Sequence, residues 1–338
     1  MAGALPTFIV TGFLGAGKTS LLNRLLRDPA LAGTMVVVNE FGAVGLDHLL
    51  MERGSEGVVL LASGCLCCAQ RGALLDTLAD LAARRESGEL PAFSRVVIET
   101  SGLADPGPVM QTILSPALAQ AGYRLAGVVT LVDAVHGEAT LEAEAMSLAQ
   151  VAVADRILIS KLDLAPDSAA LRVRLAALNP LAPVLDAAAS PADLIFAPRE
   201  SLGAQAPFPG RGISAFACHD AGIGSLVLTS AVPIRSLALL EFLDRLASRH
   251  GEGLLRLKGL VLVREDPARP LLVQGVRHLL YPTRRLPAWP DGVAQTRLVL
   301  IGRDLDAAAI DSLFAAFSDE PQADTPDRAA MMDNPLAL

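Results

Sequence analysis

Eight residues near the start of the chain, Gly12-Phe13-Leu14-Gly15-Ala16-Gly17-Lys18-Thr19, follow the spacing GxxxxGK[ST]. Those residue types suit one kind of chemistry. Glycines let backbone N–H groups close in on phosphate oxygens, and a helix opening at Lys18, Thr19 and Ser20 would add positive potential. Lys18 would reach the β- and γ-phosphates as a catalytic cation, and the Thr19 hydroxyl would ligate Mg²⁺. The surroundings agree, since the apolar run Phe8 to Val10 precedes the motif and a helix carrying Leu21, Leu22, Leu25 and Leu26 follows it.

Two further segments carry polar groups that such a loop needs. Glu99-Thr100-Ser101-Gly102 ends the apolar run Arg95 to Ile98, and a carboxylate at the C-terminal end of a parallel strand faces the ligand crevice of an α/β fold. Glu99 would hold Mg²⁺ through water or position the attacking water. Gly102 joins the nucleotide-binding set. Ser160-Lys161-Leu162-Asp163 follows the run Arg156 to Ile159. A carboxylate accepts two hydrogen bonds, and guanine offers two donors where adenine presents a lone pair, so Asp163 would select GTP over ATP. Lys161 would lie along the base and ribose. The usual guanine motif begins with Asn; Ser160 stands there and would brace the loop.

Gly64-Cys65-Leu66-Cys67-Cys68 brings a third chemistry. Three thiols at a strand-to-helix corner favour a soft or borderline divalent ion such as Zn²⁺. No second Cys or Cys/His pair lies at zinc-finger spacing, so the set is incomplete, as an exchangeable site would be. His48, His136 and Cys218-His219 are weaker metal candidates. A thiol redox switch is an alternative use of the cluster.

The elements that would position these groups alternate. Phe8 to Val10, Met35 to Val38, Val58 to Leu61, Val96 to Ile98, Gly127 to Val132 and Arg156 to Ile159 read as buried strands. Helical stretches at Leu21 to Arg27, Ala73 to Arg85 and Ser168 to Leu178 lie between or after them. The alternation predicts an α/β domain over residues 1–192, a mostly parallel sheet with helices on both faces. Prolines and glycines over 193–212 predict a linker. Residues 213–317 then predict a smaller α+β domain, with strands at Gly224 to Ser230, Leu255 to Val263, Leu271 to Val276 and Thr296 to Ile301 and helices at Ile234 to Ala247 and Leu305 to Phe317. A polar tail, 318–338, is expected to be disordered.

Composition removes several classes of partner. The 338 residues carry a net charge of -8 and only 4% aromatics, which argues against both a nucleic-acid backbone and a base-stacking surface. No run approaches the roughly 18 apolar residues of a membrane span. Met1 to Thr7 lacks a charged leader region, and the clustered cysteines do not suit a disulfide framework, so a cytoplasmic protein is expected.

Taken in order, Gly12 to Ser20, Asn39-Glu40-Phe41-Gly42, Cys65 to Cys68, Glu99 to Gly102, Ala104-Asp105-Pro106, Val132 to His136 and Lys161-Leu162-Asp163 resemble the CobW-like GTPases, a group that includes zinc metallochaperones and cobalamin-biosynthesis proteins. Leu255 to Leu260, Gln274-Gly275-Val276 and Leu286-Pro287-Ala288-Trp289 resemble that family's C-terminal domain. The resemblance implies a P-loop GTPase fold and places Asn39 to Gly42 and Asp47 in the first switch region, with Asp47 near Mg²⁺ or the hydrolytic water. It also implies that the cysteine cluster lies between the switches, so that nucleotide state and metal affinity are coupled. Two departures stand out: Ala43 replaces an acidic residue common in relatives, and the five dispersed histidines include no histidine-rich loop, which argues against metal storage.

The resulting expectation is a slow GTPase using GTP, GDP and Mg²⁺. It would bind Zn²⁺ at Cys65, Cys67 and Cys68 and deliver it to a metal-dependent client protein, with a homo-oligomer possible. Service to cobalt insertion in a cobalamin pathway or to nickel insertion, and a non-catalytic GTP-dependent metal sensor or scaffold, are the alternatives.

Overall fold

The structure, a computed structural model, describes residues 4–39, 58–60, 69–165, 167–197, 217–218 and 222–318. The expected disordered tail lies, apart from Ser318, outside the described residues. The first domain is built on strands β1 (Leu5–Gly12), β2 (Thr34–Asn39), β3 (Val58–Leu60), β4 (Arg95–Thr100), β5 (Tyr123–Asp133), β6 (Arg156–Ser160) and β7 (Val184–Asp186). They pair in the order β3-β2-β4-β1-β5-β6-β7. Every pairing is parallel, as the strand–helix alternation predicts.

Period-two alternation divides each central strand between two cores. Ile9, Val37, Val96 and Ile98 face one side, where Leu74, Leu78 and Leu81 of α2 (Ala69–Glu86) and Val109, Met110 and Ile113 of α3 (Pro106–Ile113) cover them. Phe8, Val10, Val36, Val38 and Val97 face the other, beneath Leu21, Leu22 and Leu25 of α1 (Lys18–Leu25). The remaining helices are α4 (Pro116–Gln120), α5 (Gly137–Ala143), α6 (Ala145–Ala152), α7 (Ala169–Leu178) and α8 (Ala192–Ile195). Leu141, Leu148, Leu171 and Leu175 from α5, α6 and α7 cover β5 and β6.

The segment expected to open a linker at Asp193 belongs to this domain instead. Ala192 and Ile195 of α8 are buried in the second core, and the Phe196 ring stacks edge-on against Phe8 at 5.3 Å. The proline and glycine content of the region hid a four-residue helix too short to register as a periodic pattern.

The second domain is an antiparallel sheet. Its strands are β8 (Ala217–Cys218), β9 (Ile223–Ser230), β10 (Leu254–Val261), β11 (Leu271–Val276), β12 (Leu279–Leu280), β13 (Arg284–Arg285) and β14 (Thr296–Arg303), in the order β12-β11-β10-β14-β9-β8 with β13 on β11. Helices α9 (Ser236–His250) and α10 (Ala307–Ser318) pack on one face, where Phe242 meets Phe314 edge-on at 5.3 Å. Ile234, read from sequence as the start of α9, instead bridges to Val263. The helix opens at Ser236, whose N–H and hydroxyl both donate to the Glu265 carboxylate, at 2.9 and 2.8 Å.

The other face of this sheet docks on the first domain. Alternate residues of β9 and β14 split accordingly: Leu226, Leu228, Leu298 and Leu300 point to α9 and α10, while Val227, Val299 and Ile301 join Leu148, Leu171 and Leu175. Arg256 on β10 donates to Asp155 at 2.6 Å across this junction, both side chains being within 2% of complete burial. Among the described residues no helix is long and apolar enough to cross a membrane.

Candidate functional site

The site assembles at the C-terminal ends of the parallel strands, where β1, β4, β5 and β6 release their loops. Gly12 ends β1 and Lys18 opens α1. Gly17 caps that helix with φ 89°, a left-handed conformation that side chains other than glycine's adopt at a cost. No side chain caps the helix and its first turn holds no acidic residue. The N–H groups of Lys18, Thr19 and Ser20 therefore face the loop with the helix dipole behind them, ready for an anion. Lys18 folds back over the loop, its Nζ donating to the carbonyls of Gly12 at 2.8 Å and Phe13 at 3.2 Å.

β4 sits beside β1, pairing Glu99 with Val10. That register carries the Glu99 carboxylate to the foot of α1, where Oε1 accepts a 2.7 Å hydrogen bond from the Thr19 hydroxyl. Glu99 is buried. Because its carboxylate takes the Thr19 proton, the hydroxyl's lone pairs stay available to a hard cation, and an oxygen-only pair of this kind suits Mg²⁺. Thr100 braces the next position by donating to Thr11 at 2.8 Å. Beyond it Gly102 presses on the phosphate loop: a Cβ there would lie 2.6 Å from the Leu14 amide nitrogen, so only glycine fits.

The segment expected to read the base is tied to the same loop. Ser160 at the end of β6 donates from Oγ to the Ala16 carbonyl at 2.8 Å, so the residue that replaces Asn braces the phosphate loop as the sequence predicts. Lys161 has φ 58° and extends its Nζ to Asp133 Oδ2 at 2.5 Å. Asp163 is exposed in the turn that follows, where the amides of Leu164 and Ala165 both donate to the Lys161 carbonyl. A cavity of about 110 Å³ lies between the phosphate loop and this segment, lined by Phe13, Gly15, Asp133, His136 and Lys161 among others.

Asp133, inside the Val132 to His136 motif, has a part in the site that its sequence neighbourhood did not assign it. It ends β5, and Glu99 lies one residue short of the end of β4; that shared placement at the C-terminal ends of parallel strands is the signal that would have found it. Burial alone would raise its carboxyl pKa. Hydrogen bonds from Lys161 and from the Val135 and His136 amides, with the Lys161 charge, outweigh that and hold it below the ordinary aspartate value. Gln150 on α6 is a second residue of this kind. It is buried, and its amide donates to the carbonyls of Gly102 and Ala104, each at 3.1 Å, pinning the loop after β4.

Of the expected site residues, Gly12, Gly15, Ala16, Gly17, Lys18, Thr19, Ser20, Glu99, Gly102 and Lys161 converge on one crevice, with Asp163 at its rim. Asp47, Cys65, Cys67 and Cys68 lie outside the described residues, as do Glu40 to Ala43, His48 and His219. β3 ends at Leu60 on the same side of the sheet as Gly12 and Glu99, and α2 begins at Ala69, so described elements flank the cysteine cluster on both sides. His136 contributes its amide to Asp133. No group of three or more metal-binding side chains is found among the described residues.

Residues 6–186 match the CobW/HypB/UreG nucleotide-binding domain, and residues 223–318 match the cobalamin synthesis protein CobW C-terminal domain. The zinc chaperone YjiA of Escherichia coli is 34% identical over 91% of this chain and 96% of its own length. The zinc chaperone CobW of Pseudomonas aeruginosa is 34% identical over 90% of this chain and 89% of its own. The crystal structure of the Zn(II)-bound YjiA GTPase from E. coli superposes with a TM-score of 0.73, covering 93% of this chain and 99% of that one at 28% identity.

Proposed function

We propose, for a chain that belongs to the CobW family of nucleotide-binding proteins, a GTP-driven zinc chaperone: it binds GTP, hydrolyses it slowly to GDP and phosphate, and lets nucleotide state govern its hold on Zn²⁺. The observation that carries the nucleotide half is the Thr19–Glu99 hydrogen bond at the foot of the phosphate loop.

The roles follow from the chemistry of each group. The amides of Gly15 to Ser20 take the phosphate oxygens, and Lys18 exchanges its carbonyl partners for the β- and γ-phosphates. Thr19 and Glu99 would hold Mg²⁺, which neutralises charge on the β- and γ-phosphates when bound. Asp163 accepts from the guanine edge, with Lys161 against the base and Asp133 steadying Lys161. Asp47 acts on the attacking water. Zn²⁺ is cargo, bound by the Cys65, Cys67 and Cys68 thiolates and passed to a metal-dependent client in the cytoplasm.

The relatives named as zinc chaperones support zinc over cobalt or nickel as the cargo. The test is a metal titration of the GTP-analogue, GDP and nucleotide-free forms with Zn²⁺, Co²⁺ and Ni²⁺. Zinc affinity is expected to differ between nucleotide states by about 5–150-fold, with the reciprocal effect of zinc on GTP affinity. Replacing the three cysteines by Ser is expected to abolish binding and spare GTP affinity. Three superimposable zinc isotherms would reject the coupling and leave a nucleotide-binding scaffold.

A further inference from the structure

The loop that leaves Glu99 ends on an ion pair that reaches into the second domain. Asp105 has two jobs. Its Oδ1 accepts from the Gly107 amide at 2.8 Å, capping α3, and its Oδ2 accepts from Arg277 Nη2. Arg277 opens the two-residue turn between β11 and β12, where the hairpin asks for its φ of 54°, and from there its guanidinium reaches the first domain. Both side chains are about one-third exposed or less.

The other end of this loop touches the phosphate loop. Gly102 packs directly against Leu14, with no room for even a Cβ between the two backbones. Gln150 on α6 donates to the carbonyls of Gly102 and Ala104, which holds the stretch between them in one shape and leaves Asp105, just beyond it, as the first residue free to respond. Beside the ion pair is a cavity of about 520 Å³ between the domains, lined by Asp105, Met146, Ala149, Leu255, Arg277 and Arg303 among others. It leaves room for the Asp105 carboxylate to swing without a clash.

We infer that Asp105 and Arg277 form a nucleotide-sensitive latch between the two domains. The inference rests on the proposed GTP binding and adds its regulation. A γ-phosphate accepts hydrogen bonds from backbone amides and draws Gly102 inward. The pinned loop follows, Asp105 retracts from Arg277, and the turn between β11 and β12 is released. Loss of the γ-phosphate lets the pair re-form. The second domain thus reads which nucleotide is bound through a single ion pair, and by linkage the pair opposes GTP relative to GDP.

The test compares the affinities of a fluorescent GTP analogue and fluorescent GDP in the full chain. Arg277→Ala is expected to raise the ratio of GTP-analogue to GDP affinity about three- to tenfold, the range open to a partly exposed pair. Asp105→Asn keeps the α3 cap, weakens only the ion pair and shifts the ratio the same way. The double variant matches Arg277→Ala alone. A pair that merely held the domains together would lower the thermal midpoint and leave the ratio where it was. A ratio within twofold of wild type in both single variants, or additive shifts in the double, overturns the latch. The wild-type protein titrated with guanine and adenine nucleotides separates the two readings. If it binds no guanine nucleotide, the proposed function and the latch both fall. If it binds them and the ratio ignores Arg277, only the latch falls.

Discussion

Replacing Gly102 by Ala isolates the contact between the two nucleotide-facing loops with one carbon atom. The added Cβ would stand 2.6 Å from the Leu14 nitrogen, 2.7 Å from Leu14 Cδ2 and 2.8 Å from Leu14 Cα. Ordinary carbon contacts begin near 3.5 Å, so one loop must retreat by roughly 1 Å. Overpacking of this sort costs about 1–3 kcal/mol, which for domains of this size lowers the thermal midpoint by roughly 3–9 °C. If the phosphate loop retreats, its amides lose their aim and both guanine nucleotides bind more weakly. If the loop after β4 retreats, the γ-phosphate loses Gly102, and GTP analogue suffers more than GDP. Thermal unfolding with and without GDP, paired with fluorescent-nucleotide titration, reads both. The clash is with backbone, so Leu14→Ala in the same chain is expected not to rescue it. Wild-type stability and affinities in Gly102→Ala, or recovery on trimming Leu14, would refute the packing argument.

Asp163→Ala is expected to erase a GTP-over-ATP preference on the order of a hundredfold or more, since the charged acceptor for guanine's two donors is lost; equal binding of ATP and GTP by the unmutated chain would sink the assignment. Ser160→Ala removes the bond to the Ala16 carbonyl and is expected to weaken nucleotide binding by about 1 kcal/mol, roughly fivefold in a GDP titration. Arg256→Leu takes a charged partner from the buried Asp155 carboxylate, leaving the Val128 amide on its other oxygen, and is expected to cost about 3 kcal/mol in denaturant unfolding, with Asp155→Asn added to it recovering part of the loss. Asp133 has a carboxyl pKa lowered by folding, so its contribution to stability is complete above its unfolded value of 3.8 and fades as pH falls through the native value. The stability gap between wild type and Asp133→Asn is therefore expected to be widest above pH 4 and to close in more acid solution.

What the sequence made legible tracks how local the signal is. The phosphate loop and its strand–helix context are contiguous, so Gly12 to Thr19 announced both the fold and the crevice. β2, β4 and β6 are short apolar runs whose alternation could be read directly, although the order in which they pair could not. Asp133, Gln150, Asp105 and Arg277 were not legible as a set, because each acts through a side-chain hydrogen bond to a partner 28 to 172 residues away along the chain. The antiparallel sheet was foreseen as strands, but its two-sided burial was hidden, since β9 and β14 are apolar on both faces and carry no alternation to interpret. α8 and Phe196 were missed because proline-rich flanks outweighed one apolar turn.

The two-sided burial also limits how the second domain can respond to nucleotide. Swinging it away would return Ile223, Val227, Leu255, Val299 and Ile301 to water, together with the first-domain residues they cover. At about 1.5–3 kcal/mol for each buried aliphatic side chain, those five alone cost roughly 7–15 kcal/mol. A nucleotide that distinguishes two conformations typically supplies about 1–3 kcal/mol of coupling. GTP binding therefore cannot open this junction. It can move a half-buried ion pair at the junction's edge, which costs about 1 kcal/mol or less. Any signal that passes from the phosphate loop to the second domain must then travel as a local change at Asp105 and Arg277 while the apolar interface stays closed. Small-angle scattering of the GTP-analogue and GDP forms is accordingly expected to give the same radius of gyration, even where the affinity ratio shifts in Arg277→Ala. A nucleotide-dependent change in overall dimensions would mean that the interface is weaker than its buried side chains imply.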